Sequence, residues 1–421
     1  MNLTLRSIFL LKSIATGILM PVMSLMIIAR GASLSVLPFV IGIYSLVVVL
    51  LEFPSGVFCD LFGRKKTFIL SVGLMLFSFC FLLAGGLHVW VLFIAFAIQG
   101  AGRAFSSGSL DALVLQQSIQ LGGDKAAART SGELGVLEST GIALGSIGAG
   151  FLGSIGDTYS INLTVIILCY SVILFLTIFG VREDSVPDMG QSEDNQILKE
   201  RQKGFTKKRH LKTGIRQFGK QMKCSLSFAG RSKEVRFLLI QGFFTGVALL
   251  AVETYWQPGL LRLMEQKVIW LFGLVSFLGF GFTAISSHLA PKLMAAFSKK
   301  SSQIWWICLF GTKMLFYLGI MLMGCLVHPL FFICGYFFIY FVHGSGSIME
   351  NTLLTKSTPK EMLASVMSLF SLIFQSGALA ASGLTSIILT KADLPVVWWS
   401  LGGLGFIGVC ISFMILKRKR D

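Results

Sequence analysis

Gly56-Val57-Phe58-Cys59-Asp60-Leu61-Phe62-Gly63-Arg64-Lys65-Lys66 is a short charged passage between two long apolar runs. It holds the densest charge in the first hundred residues. A polar link of this length between two apolar spans is a turn at a membrane surface. The whole composition agrees. Hydrophobic residues make up 54% of the 421 positions and charged residues 13%, with a mean hydropathy of +0.78. A soluble chain carries roughly 25% charged residues, so this one lacks the polar surface to cover itself in water. Its 45 glycines suit close approach of helices in lipid.

Working outward, twelve apolar spans follow, near 7–29, 34–54, 67–86, 89–115, 128–153 and 160–181, then 235–260, 267–290, 303–326, 329–353, 361–389 and 394–416. Each is long enough to cross roughly 30 Å of hydrocarbon at about 1.5 Å per residue. The expected organisation is an N-terminal six-helix bundle at 1–181, a linker at 182–234 and a C-terminal six-helix bundle at 235–421. Within the linker, Leu211, Ile215, Phe218 and Met222 share a helical face among basic residues. That pattern reads either as a basic helix on anionic headgroups or as a solvated charged linker.

The formal charge of +16 would raise nucleic acid in a soluble protein. Here topology explains it, and no nucleic-acid partner is expected. On this span map, 30 of the 36 Lys and Arg residues fall on the side of both termini and the even-numbered links. Only Arg30, Arg262, Lys267 and Lys391 fall opposite, while Arg103 and Lys313 lie within spans. The asymmetry predicts a multi-pass plasma-membrane protein with N- and C-termini in the cytoplasm. Arg6 and Lys12, with no small-residue cleavage site after them, read as part of a retained first helix rather than a signal peptide. The eight cysteines form no CxxC pair and the five histidines no HExxH motif, so neither a metal nor a cofactor is expected.

Two internal matches suggest a duplicated unit. Gln99-Gly100-Ala101-Gly102 in the fourth span parallels His343-Gly344-Ser345-Gly346 in the tenth, and Phe62-Gly63-Arg64-Lys65 parallels Phe297-Ser298-Lys299-Lys300. In such repeats the substrate path lies between the halves near mid-membrane.

Gly56, Asp60, Gly63, Arg64 and Lys65 stand at the spacing Gly-x-x-x-Asp-x-x-Gly-Arg-Lys. With spans arranged six plus six, the chain resembles the major facilitator superfamily over essentially its whole length. The resemblance implies an all-α membrane fold of twelve transmembrane helices and alternating access between two bundles. It also implies that spans one, four, seven and ten surround the cavity, and that span two meets span eleven when the protein faces outward. Gly141-Ile142-Ala143-Leu144-Gly145-Ser146-Ile147-Gly148-Ala149-Gly150 is similar to a degraded antiporter motif of drug-efflux members, with Ser146 in place of its proline. Where members carry an arginine in the fourth span this chain has Phe96, and Arg103 lies two turns on along the same face.

The resemblance also gives the opening passage a role. Thr358-Pro359-Lys360-Glu361 reads as a capping box with Pro at the first helical position. The positive end of the eleventh span would then meet Asp60, with Arg64 and Lys65 close by. Gly56 would let the helices touch and Gly63 would permit the turn. Such a cytoplasmic latch is worth about 1–3 kcal/mol. Asp111, Glu133 and Glu52 are assigned to the same gate.

Ionisable groups inside a membrane are costly and are functional candidates. Arg103 and Glu138 come out at similar depth near the midplane and are expected to be neighbours, serving as a proton-coupling switch or as a static ion pair. Glu253 is placed near the outer face, just before Tyr255, Trp256, Gln257 and Pro258, which is expected to break or kink the helix. It reads as an outer gate or the rim of a cation-accepting cavity, or else as part of an interfacial aromatic belt. His343, opposite Gln99 by the repeat, is a second proton site or a neutral hydrogen-bonded residue.

The leading functional reading is a monomeric secondary transporter exporting small amphipathic compounds or drugs in exchange for protons. An importer of a sugar or metabolite shares every architectural feature. No Walker loop points to ATP, and no clustered catalytic groups point to an enzyme.

Overall fold

The computed structural model describes residues 3–106, 109–156, 158–181, 226–266, 268–298, 304–359 and 362–417. The linker from 182 to 225, with its amphipathic pattern, lies outside the described residues. Regular structure among the described residues is helical throughout. The first bundle contains α1 (Leu3–Leu19), α2 (Met23–Ala29), α3 (Leu37–Phe62), α4 (Arg64–Ala84), α5 (Val89–Ser106), α6 (Leu110–Gly153) and α7 (Ser160–Gly180). The second contains α8 (Lys233–Leu263), α9 (Ile269–Ser298), α10 (Ile304–Met323), α11 (Pro329–Ser357), α12 (Leu363–Leu389) and α13 (Leu394–Lys417). Eleven described segments are long and apolar enough to cross a bilayer, the first being α1 and α2 together. The apolar part of α3, Leu37–Glu52, supplies the twelfth crossing. The ends at Leu3, Gly63, Gly180, Lys233, Ser357 and Lys417 then share one face, termed near; Gly31, Gly85, Met264 and Thr390 mark the far face.

Three helices differ from the expected spans. The first crossing is broken by a 3-10 turn at Met20–Val22, where Pro21 has no N–H to donate. The fourth crossing ends at Ser106, and a helical run of 44 residues starts at Leu110. Such a run would measure about 66 Å if straight, so its apolar part, Glu133–Gly153, suffices to cross. Pro258 does not end α8, which continues to Leu263. Packing by neighbouring helices sustains a proline inside a membrane helix.

Glycine sets the helix spacing. In lipid, association rests on van der Waals contact, so small residues that let backbones approach do the work of a hydrophobic seam. A Cβ at Gly145 would lie 2.9 Å from the Gly17 Cα, and one at Gly141 would lie 2.9 Å from the Leu10 carbonyl oxygen, so α6 rests on the α1 backbone. The second bundle repeats this between α8 and α12. Cβ atoms at Gly246 and Gly377 would each lie 3.0 Å from a backbone carbonyl carbon, of Phe374 and Phe243 respectively. The internal match found in the sequence has the same meaning. A Cβ at Gly100 would lie 2.6 Å from the Tyr44 carbonyl oxygen on α3, and one at Gly344 would lie 2.6 Å from that of Thr283 on α9.

The bundles meet only toward the far face, as judged from the hydrogen bonds and glycine contacts of the described residues. Gln257 Nε2 donates to the Met20 carbonyl (2.9 Å), and Ser386 Oγ to the Ser35 carbonyl (2.6 Å). Gly42 of α3 packs against Ser382 of α12, and Gly150 of α6 against the Trp270 backbone of α9. Gly56 and Gly135 stand about four turns along α3 and α6 from Gly42 and Gly150, on roughly the same sides. A Cβ at either would meet nothing within 4 Å.

Candidate functional site

The opening passage is built around one backbone requirement. Gly63 links α3 to α4 at φ 89°, ψ 159°, a conformation that side chains disfavour. The Thr67 hydroxyl secures the turn by donating to the Gly63 carbonyl at 2.7 Å. Lys65 reaches α7. Its Nζ donates to the Ile178 carbonyl (2.9 Å) at the end of α7, where the helix dipole favours a cation. Arg64 opens α4. The side chains of Asp60 and Asp111, and all of Lys360 and Glu361, lie outside the described residues. The expected capping box is not where the eleventh crossing starts. α12 begins at Leu363 behind Met362, whose N–H bonds the Pro359 carbonyl at 3.0 Å, and Thr358 Oγ1 has no hydrogen-bond partner among the described residues. A Cβ at Gly56 would meet nothing within 4 Å among the described residues.

Arg103 and Glu138 do lie at matching depth, both about 22 Å from the far ends of α5 and α6, and both are exposed. They are not partners. The Arg103 guanidinium lies against Tyr44 and near the Glu52 carboxylate, both on α3. Glu138 sits on α6 between the side that packs on α1 and the side that packs on α9. Depth follows from residue count, whereas facing follows from helix rotation, which the count does not carry. Glu133 also departs from the expected gate network: its Oε1 pairs with Arg6 Nε at 2.5 Å, joining α6 to α1. Lys12 Nζ donates to Ser106 Oγ at 3.1 Å, tying α1 to the end of α5.

The second bundle holds the more deeply placed chemistry. Lys313 Nζ lies 2.8 Å from Glu350 Oε2, with the side chains only 3% and 6% exposed. Lys313 also donates to Thr245 Oγ1 at 2.7 Å, so one ammonium joins α10, α11 and α8. Lys313 had no role in the sequence reading. Opposite charges at comparable distances from the near ends of α10 and α11 were the available signal. His343 is half-buried and its ring lies 5.4 Å from that of Phe316. Gln99 is buried, and its Nε2 has no hydrogen-bond partner among the described residues.

Glu253 is not at the outer face. α8 runs ten residues beyond it to Leu263, which places it about 15 Å inside. The Tyr340 hydroxyl of α11 donates to Glu253 Oε1. Trp256, one turn on, is buried against Tyr336, with ring centroids 4.6 Å apart, and Tyr336 is 4.4 Å from Tyr340. Neither tyrosine was singled out in the sequence, since each is one of many aromatics in an apolar span. At the far face, Arg30 is buried and donates to the Leu82 carbonyl (2.5 Å), joining the first crossing to the end of α4.

Two bundles of six crossings, mirrored glycine contacts and a positive-φ glycine turn between the second and third crossings now stand together. Residues 7–382 match the sequence profile of the Major Facilitator Superfamily. The chain belongs to that superfamily. It is a multi-pass membrane protein of a transporter family. It is 24% identical over 281 residues to the "Uncharacterized MFS-type transporter YxaM" of Bacillus subtilis (strain 168), an alignment spanning 65% of this chain and 62% of that protein. The fold is similar to that of the nucleoside transporter NupG (TM-score 0.73, 12% identity, 100% of both chains). It is similar also to a POT family transporter in complex with 5-aminolevulinic acid (TM-score 0.72, 13% identity, 99% of this chain and 96% of that one). Within the major facilitator fold, α5, α8 and α11 are the fourth, seventh and tenth crossings. Arg103, Glu253 and His343 therefore stand on helices that the sequence reading placed around the cavity.

Proposed function

We propose that the protein is an alternating-access secondary transporter that exports small amphipathic compounds, drugs included, in exchange for protons. One observation carries the reading: the helix pairs α3/α12 and α6/α9 touch toward the far face, at Gly42 and Gly150, whereas Cβ atoms at Gly56 and Gly135, toward the near face, would meet nothing within 4 Å among the described residues. That asymmetry is what a transporter caught open to one side requires. The excess of Lys and Arg in the near-face links assigns that side to the cytoplasm, so this conformation faces inward. Glu138 and Arg103 are exposed on the open side at membrane depth and supply groups for proton coupling. Gly141 and Gly145, in the antiporter-like passage, form the α1–α6 contact about which the first bundle would move as a unit.

The deciding measurement is transport in inverted membrane vesicles with an imposed pH gradient and a panel of drugs and metabolites. Proton-driven accumulation is expected in the wild type. Glu138→Gln is expected to abolish it while leaving yield and melting temperature unchanged. Undiminished accumulation in that variant would remove Glu138 from coupling.

The two gates yield opposite shifts. Gln257→Leu deletes the far-side hydrogen bond to Met20, worth about 0.5–1.5 kcal/mol, and should raise labelling of a far-side reporter cysteine about two- to tenfold. Gly56→Leu places a side chain where the latch must close. It should leave the inward-facing state unstrained and lower far-side labelling. Equal labelling of both variants would show that neither contact sets the balance.

A further inference from the structure

We propose that the near end of the second bundle binds the headgroup of an acidic phospholipid, through Lys356, Lys233 and Arg231 gathered about the Trp305-Trp306 pair. Binding of this partner is independent of which cargo the protein carries.

Three crossings end together here. α8 starts at Lys233, α10 starts at Ile304 and α11 ends at Ser357, all on the near face. Their ends share an apolar core of their own, which includes Val235, Phe237, Leu309 and Leu353. Residues 226–231 form a short helical stretch just ahead of α8. Ala229 and Phe228 pack into that core, whereas Leu226 and Arg231 are exposed. Around the core runs an aromatic and basic rim. Trp306 meets Phe237 edge-on, with ring centroids 5.7 Å apart. Lys233 lies one turn before Phe237 on the same side of α8. On the other flank, Lys356 Nζ of α11 lies 4.5 Å from the centre of the Trp305 ring. Lys356 is exposed, and both tryptophans and Lys233 are half-buried, so the rim is open to surface lipid.

Depth and charge select the partner. Trp305 and Trp306 are the second and third residues of α10, which sets them at the boundary between hydrocarbon and headgroups. Cations at that level meet phosphate oxygens. Lys356 is the telling residue. Its ammonium carries three donors, yet among the described residues it makes the ring contact and neither a hydrogen bond nor an ion pair. A cation–π contact fixes the position of the charge and leaves its donors available. Lys65, at the near end of the first bundle, instead gives a donor to the Ile178 carbonyl. Arg231, Lys233, Arg236 and Lys356 stand against one acidic neighbour in this stretch of rim, Glu234, whose Oε2 accepts from Ser232 Oγ at 3.1 Å. A zwitterionic headgroup would bring its own ammonium toward these cations, whereas an acidic one brings negative charge alone. Below the rim, α10 exposes Ile307, Leu315, Leu318 and Leu322 on one side, with Gly311 between them, a surface against which an acyl chain can lie.

The test uses the full-length protein purified in neutral detergent. Phosphatidylglycerol and phosphatidylcholine with identical acyl chains are titrated in, and bound lipid is counted by native mass spectrometry. The wild type is expected to bind phosphatidylglycerol at least about tenfold more tightly than phosphatidylcholine. Lys356→Gln should weaken phosphatidylglycerol binding about fivefold, the effect of one basic group at an anionic headgroup, and leave phosphatidylcholine binding unchanged. Trp305→Leu, which frees the Lys356 ammonium, should weaken it several-fold, and Lys356→Arg should keep the acidic preference. Lys66→Gln, at the near face of the first bundle, should change nothing. If Lys356→Gln does not elute as a folded species, Arg231→Gln decides in its place, since Arg231 is exposed. Equal affinity for the two lipids would overturn the proposal. So would an equal loss in Lys66→Gln and Lys356→Gln, which would mean diffuse charge rather than a site. Displacement of bound phosphatidylglycerol by inorganic phosphate would mean an ion site in place of a lipid site.

Discussion

Lys313→Met is expected to destabilise the protein by about 3–5 kcal/mol, the range for removing one partner of a buried ion pair. The reason is local. Glu350 Oε1 already has no hydrogen-bond partner among the described residues, and Lys313 is the counter-charge of Oε2. Without the ammonium, α11 would carry an unpaired carboxylate in a bundle interior, and Thr245 would lose the donor that ties α8 to α10. Glu350→Leu should fail equally, since it leaves the ammonium unpaired. The double variant Lys313→Met/Glu350→Leu should recover most of the loss, because an apolar pair of similar volume avoids the desolvation cost of both charges. Melting of the purified proteins in one detergent checks all three. Single variants that melt with the wild type would show that water or lipid headgroups reach the pair.

Gly145→Ala and Gly148→Ala should change stability in opposite directions, though three residues apart on one helix. A methyl at Gly145 would lie 2.9 Å from the Gly17 Cα and 2.9 Å from the Ile18 amide nitrogen. Those atoms are backbone, so no rotamer change relieves the overlap and α1 must move away. Overpacking of this kind costs about 1–3 kcal/mol, and the α1–α6 contact offers no flexible side chain to absorb it. A methyl at Gly148 meets nothing within 4 Å. There the substitution only stiffens the helix, a gain of about 0.5–1 kcal/mol. Gly377→Ala, against the Phe243 backbone, should repeat the Gly145 result in the second bundle. Yield and melting temperature after a common purification separate these outcomes. Equal behaviour of Gly145→Ala and Gly148→Ala would mean that the two helices do not meet at that face.

The passage from Gly56 to Lys66 shows how far sequence reading reached. Its place at a membrane surface and the special backbone at Gly63 were both legible, because the first depends on composition and the second on local sterics. The contact of Lys65 with a carbonyl of α7, 113 residues away, was not. Glu253 was misplaced because its depth was counted from the near end of a span expected to finish near residue 260, with Pro258 expected to break or kink it. A soluble helix would often end there, but packed membrane neighbours carried α8 on to Leu263. Arg103 and Glu138 were placed at the right depth and wrongly joined.

The sequence by itself determined the solvent, the number of crossings, the distribution of charge between the two faces, the duplication and the family. These depend on properties that accumulate along the chain, since lipid sorts residues by polarity and each span must satisfy its own backbone hydrogen bonds. Only the tertiary structure decided which charges meet, which carboxylate is sealed against a lysine, and where the helices of the two bundles touch. Those outcomes depend on the rotation of each helix about its axis and on its neighbours. In an apolar span all sides read alike, so the pattern that reveals a helix gives little sign of which way Lys313 or Glu253 will point.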